Sequence, residues 1–131
     1  MREGKLKVLV ADDNRLQLAL TRDALSEAGF EVYTVEQGKE VYKKVLEHKP
    51  DIILLDIMMP EVDGIEICRV LKAHPQTRNS LILIYSAKRD LDLMDLAYEA
   101  GAEGFILKSD DFNQIISQIK EIYHEKREAQ A

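Results

Sequence analysis

The sequence predicts a single α/β domain in which helices cover both faces of a parallel sheet. Three observations support this prediction. The chain has 131 residues, the length of one ordinary domain. Five short apolar runs alternate with segments of helical periodicity, which is the order of a doubly wound fold. Three of the runs are almost continuously apolar, as in strands that are buried on both faces.

The strands are predicted from the five apolar runs. The runs VLVA, IILL and LILIY contain almost no polar residue, so they suit strands that are covered on both sides. Each run is short, as expected for strands of a small sheet. In chain order, the predicted strands cover residues 6–11, 31–35, 51–55, 81–85 and 104–107.

Helical spacing of apolar residues predicts a helix after each strand. The last helix has the clearest pattern, with apolar residues at i, i+3, i+4, i+7 and i+11. Gly29 and Gly101 follow helical segments, where a left-handed residue is favoured, and Pro50 and Pro60 lie in connections. The residues predicted to form the five buried faces are Leu16, Leu20 and Ala24; Val41 and Val45; Cys68 and Leu71; Leu93, Met94, Ala97 and Ala100; and Phe112, Ile115, Ile116, Ile119 and Tyr123.

Composition excludes several classes of protein. Hydrophobic residues make up 46% of the chain, enough for a packed core. With 18 basic and 24 acidic residues the net charge is −6, which argues against nucleic-acid binding. One cysteine excludes an intramolecular disulfide and a thiolate zinc cluster. No apolar run approaches the roughly 20 residues that cross a bilayer, and residues 1–7 do not resemble a signal peptide. We therefore expect a soluble cytoplasmic protein that does not bind membranes.

Polar residues that can take part in reactions or bind ions follow four of the five predicted strands. The first strand leads into Asp12 and Asp13, the third into Asp56. The fourth leads into Ser86 and the fifth into Lys108. Because the carboxyl ends of parallel strands share one edge, these side chains are expected to lie together, where open α/β sheets place their sites.

Each of these residues also has a structural explanation. Asp13 or Asn14 can cap the helix that follows the first strand. Asp56 can form a turn, and Ser86 can cap a helix. Lys108 can be an ordinary solvated lysine. Their occurrence at four strand ends together favours a functional site.

The residue types indicate phosphoryl-transfer chemistry. Three adjacent carboxylates repel one another unless a cation is present, and oxygen ligands select a hard cation such as Mg²⁺. None of the three histidines has the spacing of a metal ligand. A carboxylate can act as the nucleophile and form an acyl phosphate, while the metal and a lysine stabilise the phosphoryl oxygens.

Four segments together resemble the receiver domain of response regulators in two-component signalling. They are VLVADDN at 8–14, DIILLDIMMPEVDGIE at 51–66, YSAK at 85–88 and GAEGFILK at 101–108. The resemblance covers residues 5–124, and residues 125–131 would form a charged helical tail or the start of a linker. It implies a flavodoxin-like (βα)5 fold with strand order 2-1-3-4-5.

The resemblance implies a role for each site residue. Asp56 would accept a phosphoryl group from a sensor histidine kinase or a histidine phosphotransfer protein. Asp13, Asp56 and the backbone carbonyl of Met58 would hold Mg²⁺, with Asp12 acting largely through water, and Mn²⁺ can replace Mg²⁺. Lys108 would contact the phosphoryl oxygens. The remaining residues would act in switching (Ser86 and Phe105) or border the phosphoryl group (Met58, Ala87 and Lys88).

The implied output is a change in the surface formed by the fourth helix, fifth strand and fifth helix. Its partner would be a downstream protein or a fused output domain, and phosphorylation could also drive homodimerisation. The chain would be either a stand-alone receiver or the N-terminal piece of a longer regulator. Its only chemistry would be its own phosphorylation and dephosphorylation.

Three residues depart from the family pattern. Ser86 stands in place of the commoner threonine, and Phe105 lacks the hydroxyl of the commoner tyrosine. Ser109 follows Lys108 where the family usually has proline in a cis bond. A cis bond before serine costs about 3 kcal/mol, so both isomers of the Lys108–Ser109 bond are considered.

Three other functions are alternatives to the switch. An aspartyl-phosphate phosphatase usually needs an acid two residues after its nucleophile, where this chain has Met58. A flavin mononucleotide carrier needs a phosphate-binding loop after the first strand, where Asp12 and Asp13 would repel phosphate. A receiver-like docking domain that does not use phosphate remains the alternative.

Overall fold

A five-stranded parallel sheet forms the centre of the protein, whose computed structural model describes residues 4–130. The strands are β1 (Lys7–Ala11), β2 (Glu31–Val35), β3 (Ile52–Leu55), β4 (Leu81–Ser86) and β5 (Gly104–Leu107). Their order in the sheet is β2-β1-β3-β4-β5, and every neighbouring pair is parallel. The predicted α/β fold class and the strand order implied by the resemblance are confirmed. The predicted strand bounds are correct to within one residue.

Five helices connect the strands and cover both faces of the sheet. They are α1 (Arg15–Glu27), α2 (Val41–His48), α3 (Gly64–Ala73), α4 (Leu91–Glu99) and α5 (Phe112–Gln130), and a short 3₁₀ turn (Gly38–Glu40) precedes α2. Helices α1 and α5 pack on one face, and α2, α3 and α4 pack on the other. The connections from each strand to the next helix all lie at the carboxyl edge of the sheet, which is where the candidate site is found.

The central strands are buried on both faces, which explains their continuously apolar sequences. In β3, Ile52 and Leu54 face α1 and α5, whereas Ile53 and Leu55 face the other three helices. All four side chains are fully buried. Alternate side chains of a strand point to opposite faces, so a strand covered on both sides has no position for a polar residue until it ends.

The predicted buried face of α1 is wrong. Leu16 and Leu20 are 70% and 48% exposed, and Ala24 is only partly buried. The buried face consists of Leu18, Thr21 and Leu25. Thr21 can be buried beside these leucines because its hydroxyl has a hydrogen-bonding partner inside the core, the hydroxyl of Tyr85.

The other predicted helical faces agree with the structure at their most buried positions. Val41 and Val45 of α2, Cys68 and Leu71 of α3, and Ile115 and Ile119 of α5 are all buried. Burial raises the pKa of the Cys68 thiol to about 11, so this cysteine stays protonated at neutral pH.

The last helix extends to Gln130, so the tail that starts at residue 125 is helical as far as the structure describes it. Ala131, the end of the predicted tail, and residues 1–3 of the charged N-terminus lie outside the described residues. Within residues 4–130, no helix combines the length and the apolar character that a membrane crossing requires.

The loop backbone shows the conformation of two glycines and of the Lys108–Ser109 bond. Gly29 and Gly101 have φ angles of +99° and +105°, as predicted for residues that follow a helix. The Lys108–Ser109 peptide bond is trans.

Gly64 is required by the close approach of α3 to the loop that carries Asp56. A Cβ atom at position 64 would lie 2.4 Å from the Cα atom of Ile57. Gly64→Ala is expected to lower the free energy of unfolding by about 2 kcal/mol, because a backbone atom cannot rotate away from the added methyl group. Urea denaturation measures the loss. Gly4→Ala, where no atom lies within 4 Å, is the control. Equal stability of the two variants would contradict the prediction.

Candidate functional site

The sheet register brings the predicted site residues together at its carboxyl edge. Ala11 pairs with Leu55, and Leu55 pairs with Ile84, so the residues that follow β1 and β3 emerge side by side. Asp12 and Asp56 occupy these two positions, and Ser86 is the last residue of β4. The backbone N–H of Lys108 donates to the Ser86 carbonyl at 2.7 Å, which places Lys108 at the same edge.

Lys108 bridges two buried carboxylates. Its Nζ donates to Asp12 Oδ2 at 2.7 Å and to Asp56 Oδ2 at 3.0 Å. Asp12 is 0% exposed and Asp56 is 6% exposed, so neither carboxylate is well hydrated. One ammonium group therefore compensates two negative charges at the floor of the site.

Burial and neighbouring charges shift the pKa values of Asp12 and Lys108. Burial raises the pKa of Asp12, and the hydrogen bond from Lys108 offsets this only in part. Burial alone would lower the pKa of Lys108, but the hydrogen bonds and charges of Asp12 and Asp56 outweigh it and raise that pKa overall. Lys108 is consequently a cation throughout the neutral range.

Three carboxylates form a cluster that suits a hard metal ion. One carboxylate oxygen from each of Asp12, Asp13 and Asp56 lies within 4.8 Å of the others. Asp13 is exposed, so the cluster is open to solvent on one side. The backbone N–H of Met58 donates to Asp56 Oδ1 at 2.8 Å, which fixes the chain beside the cluster. An oxygen-only donor set with one open side fits Mg²⁺, which retains several waters when it binds proteins.

The helix cap after β1 is Asn14, not Asp13. Its side-chain oxygen accepts a hydrogen bond from the Gln17 backbone at 2.9 Å. The Asn14 backbone N–H in turn donates to Asp12 Oδ1 at 3.0 Å. Capping thus explains Asn14 and does not explain the carboxylate of Asp13.

The Ser86 hydroxyl is bonded to the loop between β4 and α4. It donates to the Lys88 carbonyl at 3.1 Å and accepts from the Lys88 N–H at 3.2 Å. The cap of α4 is Asp90, so Ser86 does not cap this helix. Phe105 pairs with Ile84 in the sheet, and its half-buried ring packs on the same face of the sheet as Ile84. Ser86, two residues after Ile84, belongs to that face as well.

A cavity of about 330 Å³ opens above Asp56. Met58 lies on its rim and is 65% exposed. The three residues that are predicted to border the phosphoryl group, Met58, Ala87 and Lys88, all line this cavity. Ser86 and Lys108, which are predicted to contact the phosphoryl oxygens, line it as well. Its lining includes Asp56, Met58, Ser86, Ala87, Lys88 and Lys108.

Tyr85, which has no role predicted from the sequence, lies beside the site in the structure. Its ring centroid lies 5.4 Å from Lys108 Nζ. Its hydroxyl lies 3.2 Å from Thr21 Oγ1 and accepts a hydrogen bond from Gln17 Nε2 at 3.3 Å. The signal available in the sequence was the position: the residue before Ser86 must face the opposite side of the sheet, towards α1 and α5.

Comparison with known proteins identifies relatives across most of the chain. Residues 8–120 match the response regulator receiver domain family. The chain is 34% identical over 116 residues to the alkaline phosphatase synthesis transcriptional regulatory protein PhoP of Bacillus subtilis, covering 88% of this chain and 48% of PhoP. It is 31% identical over 113 residues to the polar-differentiation response regulator DivK of Brucella anthropi, covering 86% and 92% of the two chains. The chain therefore spans about half the length of PhoP and nearly all of DivK.

The fold has close counterparts among solved structures. A CheY-like response regulator receiver domain protein from Methanospirillum hungatei superposes with a TM-score of 0.85 at 24% sequence identity. The alignment covers 96% of this chain and 99% of that protein. At this identity, the similarity supports the fold.

Proposed function

Because the chain belongs to the response regulator receiver domain family of two-component systems, we propose that it is a signalling switch that accepts a phosphoryl group on Asp56. The observation that carries the proposal is the bridge from Lys108 to Asp12 and Asp56 beside the three-carboxylate cluster. This arrangement places a nucleophile and a cation in one cavity, with candidate metal ligands directly beside the nucleophile. Its chemistry is limited to phosphorylation and dephosphorylation of the chain itself.

Asp56 is the acceptor because it alone belongs to both the cluster and the cavity. Its carboxylate oxygen forms a bond to phosphorus, and the bond from phosphorus to the donor breaks. With a phosphohistidine donor the leaving group is the imidazole of a sensor histidine kinase or a histidine phosphotransfer protein. With acetyl phosphate the leaving group is acetate.

The acidic cluster, together with the Met58 backbone, would hold the metal ion. We assign the ligands as Asp13, Asp56 and the backbone carbonyl of Met58, with Asp12 acting largely through water. Mg²⁺, or Mn²⁺ in its place, supplies positive charge to the phosphoryl oxygens when bound. Lys108 donates to Asp56 Oδ2, so its ammonium group lies where it would stabilise the oxygens of a phosphoryl group on Asp56.

Switching would begin at Ser86. Its hydroxyl must leave the Lys88 backbone to bond a phosphoryl oxygen, and this frees the loop that leads into α4. Phe105 packs on the same face and would move with that loop. The surface of α4, β5 and α5 would then favour a different population of conformations. Met58, Ala87 and Lys88 would control how fast water removes the phosphoryl group.

The partners follow from this role. The chain would receive its phosphoryl group from a histidine kinase or phosphotransfer protein and act on a downstream protein or a fused output domain. A phosphorylation-dependent homodimer is a further output. Residues 5–124 would constitute the receiver domain, and the helical residues after 124 would form a charged tail or the start of a linker.

Intact-mass measurement of the wild type tests the proposal. Incubation with acetyl phosphate and Mg²⁺ is expected to add one phosphoryl group. After chelation of Mg²⁺ we expect uptake to slow by at least about 100-fold, because the metal charge on the phosphoryl oxygens is lost. Circular dichroism confirms that the chelated protein is folded. If folded protein takes up no phosphoryl group with Mg²⁺, the proposal fails and a phosphate-independent docking domain is favoured.

A further inference from the structure

Tyr85 carries a hydroxyl group at a buried position where packing requires only an aromatic ring. It is the penultimate residue of β4, and its side chain is fully buried between the sheet and helices α1 and α5. A phenylalanine would fill the same space without bringing a polar atom into the core. Burial of a hydroxyl is unfavourable unless hydrogen bonds compensate it, so the hydroxyl requires an explanation.

The hydroxyl belongs to a closed triangle of hydrogen bonds with α1. Tyr85 Oη lies 3.2 Å from Thr21 Oγ1 and 3.3 Å from Gln17 Nε2. Gln17 Nε2 also donates to Thr21 Oγ1 at 3.3 Å. The Thr21 side chain is fully buried, so this triangle is built into the interface between α1 and the sheet. It fixes the far end of the tyrosine ring, and with it the orientation of the ring plane.

The near part of the same side chain contacts the phosphoryl site. Lys108 Nζ lies 5.4 Å from the Tyr85 ring centroid, within the range of a cation–π contact. Two of the three N–H groups of Lys108 are directed at Asp12 and Asp56. An aromatic ring attracts the ammonium group but, unlike a carboxylate, adds no negative charge that would repel an incoming phosphoryl group.

We propose that Tyr85 is a positioning residue that holds Lys108 at Asp56, with its ring anchored to α1 by Thr21 and Gln17. The inference rests on the proposed function, because Lys108 matters for signalling only if Asp56 accepts a phosphoryl group. It adds a residue on the face of the sheet opposite Ser86 and Phe105. The orientation of Lys108 beside the phosphoryl acceptor Asp56 then depends on how α1 packs against the sheet.

Three variants separate the ring from the hydroxyl. Tyr85→Leu removes the ring and is expected to slow phosphorylation by acetyl phosphate about 10-fold, since misplacement of a reacting partner is costly. Tyr85→Phe retains the ring and is expected to slow it only about two- to threefold. Thr21→Val removes one of the two partners of the Tyr85 hydroxyl and should slow phosphorylation no more than Tyr85→Phe does. Initial rates are measured by intact mass at saturating Mg²⁺, after circular dichroism has confirmed folding.

A Lys108→Met background distinguishes positioning from packing. If Tyr85 acts through Lys108, then Tyr85→Leu causes no further slowing once the lysine is absent. A residue that merely packs the core would slow phosphorylation by the same factor in both backgrounds. Equal factors, or a wild-type rate for Tyr85→Leu, would overturn the inference.

An NMR measurement tests the contact without phosphorylation. The Lys108 side-chain methylene protons should show a ring-current shift that persists in Tyr85→Phe and disappears in Tyr85→Leu. Absence of the shift in the wild type overturns the inference whatever the phosphorylation result. If the wild type shows the shift but takes up no phosphoryl group, the proposed function is overturned. The contact between Tyr85 and Lys108 then exists but has no role in phosphorylation.

Discussion

Asp56→Asn is expected to take up no phosphoryl group from acetyl phosphate under conditions that phosphorylate the wild type completely. The amide lacks the nucleophilic oxygen anion, so no acyl phosphate can form at this position. The substitution keeps the size of the side chain, and its oxygen can still accept the hydrogen bond from the Met58 N–H. Loss of uptake would therefore report loss of the acceptor and not collapse of the loop.

Asp95→Asn provides the matched control. Asp95 is an exposed residue of α4 and belongs to neither the acidic cluster nor the cavity, so this variant should be phosphorylated at the wild-type rate. Intact mass after a time course distinguishes the two variants. Full phosphorylation of Asp56→Asn would show that another residue, such as the neighbouring Asp12 or Asp13, is the acceptor.

Lys108→Met is expected to slow phosphorylation by at least about 100-fold, the usual cost of removing a charged group that stabilises developing negative charge. The same change leaves Asp12 and Asp56 buried without their shared cation. We expect the free energy of unfolding to fall by about 3 kcal/mol at neutral pH in the absence of metal, since an uncompensated buried charge is costly. Urea denaturation measures this loss.

Two conditions should restore part of the stability of Lys108→Met. The pKa of Asp12 is raised by burial above its ordinary value of 3.8, and removal of Lys108 raises it further. A folded-state pKa above the unfolded value means that protonation favours the folded state, so the stability deficit of the variant should shrink as pH falls from 7 towards 4. Mg²⁺ should also reduce the deficit, because it binds the folded carboxylate cluster.

Lys88→Met is the control for loss of positive charge near the site. Lys88 lines the same cavity but is exposed, so we expect its removal to change stability by less than about 0.5 kcal/mol. If both lysine variants lose equal stability, or if Lys108→Met is as stable as the wild type at every pH, the bridge has no energetic importance.

The sequence predicts the sheet accurately because the information is local. A strand that is buried on both faces must be apolar at every position, so β1, β3 and β4 are recognised from their own residues and their ends from the first polar residue. The same rule locates Asp12, Asp56 and Ser86 at one edge. The positions of Asp12 and Asp56 thus follow from the strand ends, while their roles as metal ligand and acceptor stay predictions that the resemblance to receiver domains implies.

The face of α1 could not be predicted because it depends on a residue about 60 positions away. Leucines at 16, 18, 20 and 25 allow more than one helical face to be apolar. The face that is buried includes the polar Thr21, whose hydroxyl is hydrogen-bonded to the hydroxyl of Tyr85. The hydrogen bonds between Ser86 and the Lys88 backbone likewise depend on the conformation of the folded loop, so residue types alone do not predict them.

The turn at Ser86 and Lys88 has a consequence for background signalling. Under the proposed function, an unphosphorylated molecule reaches its active state only after the serine gives up both bonds to the Lys88 backbone. At roughly 1 kcal/mol net for each bond, this alone would keep active molecules to about one in 30 at rest. Thermal fluctuations would thus seldom break both bonds, and few unphosphorylated molecules would signal while the kinase is inactive.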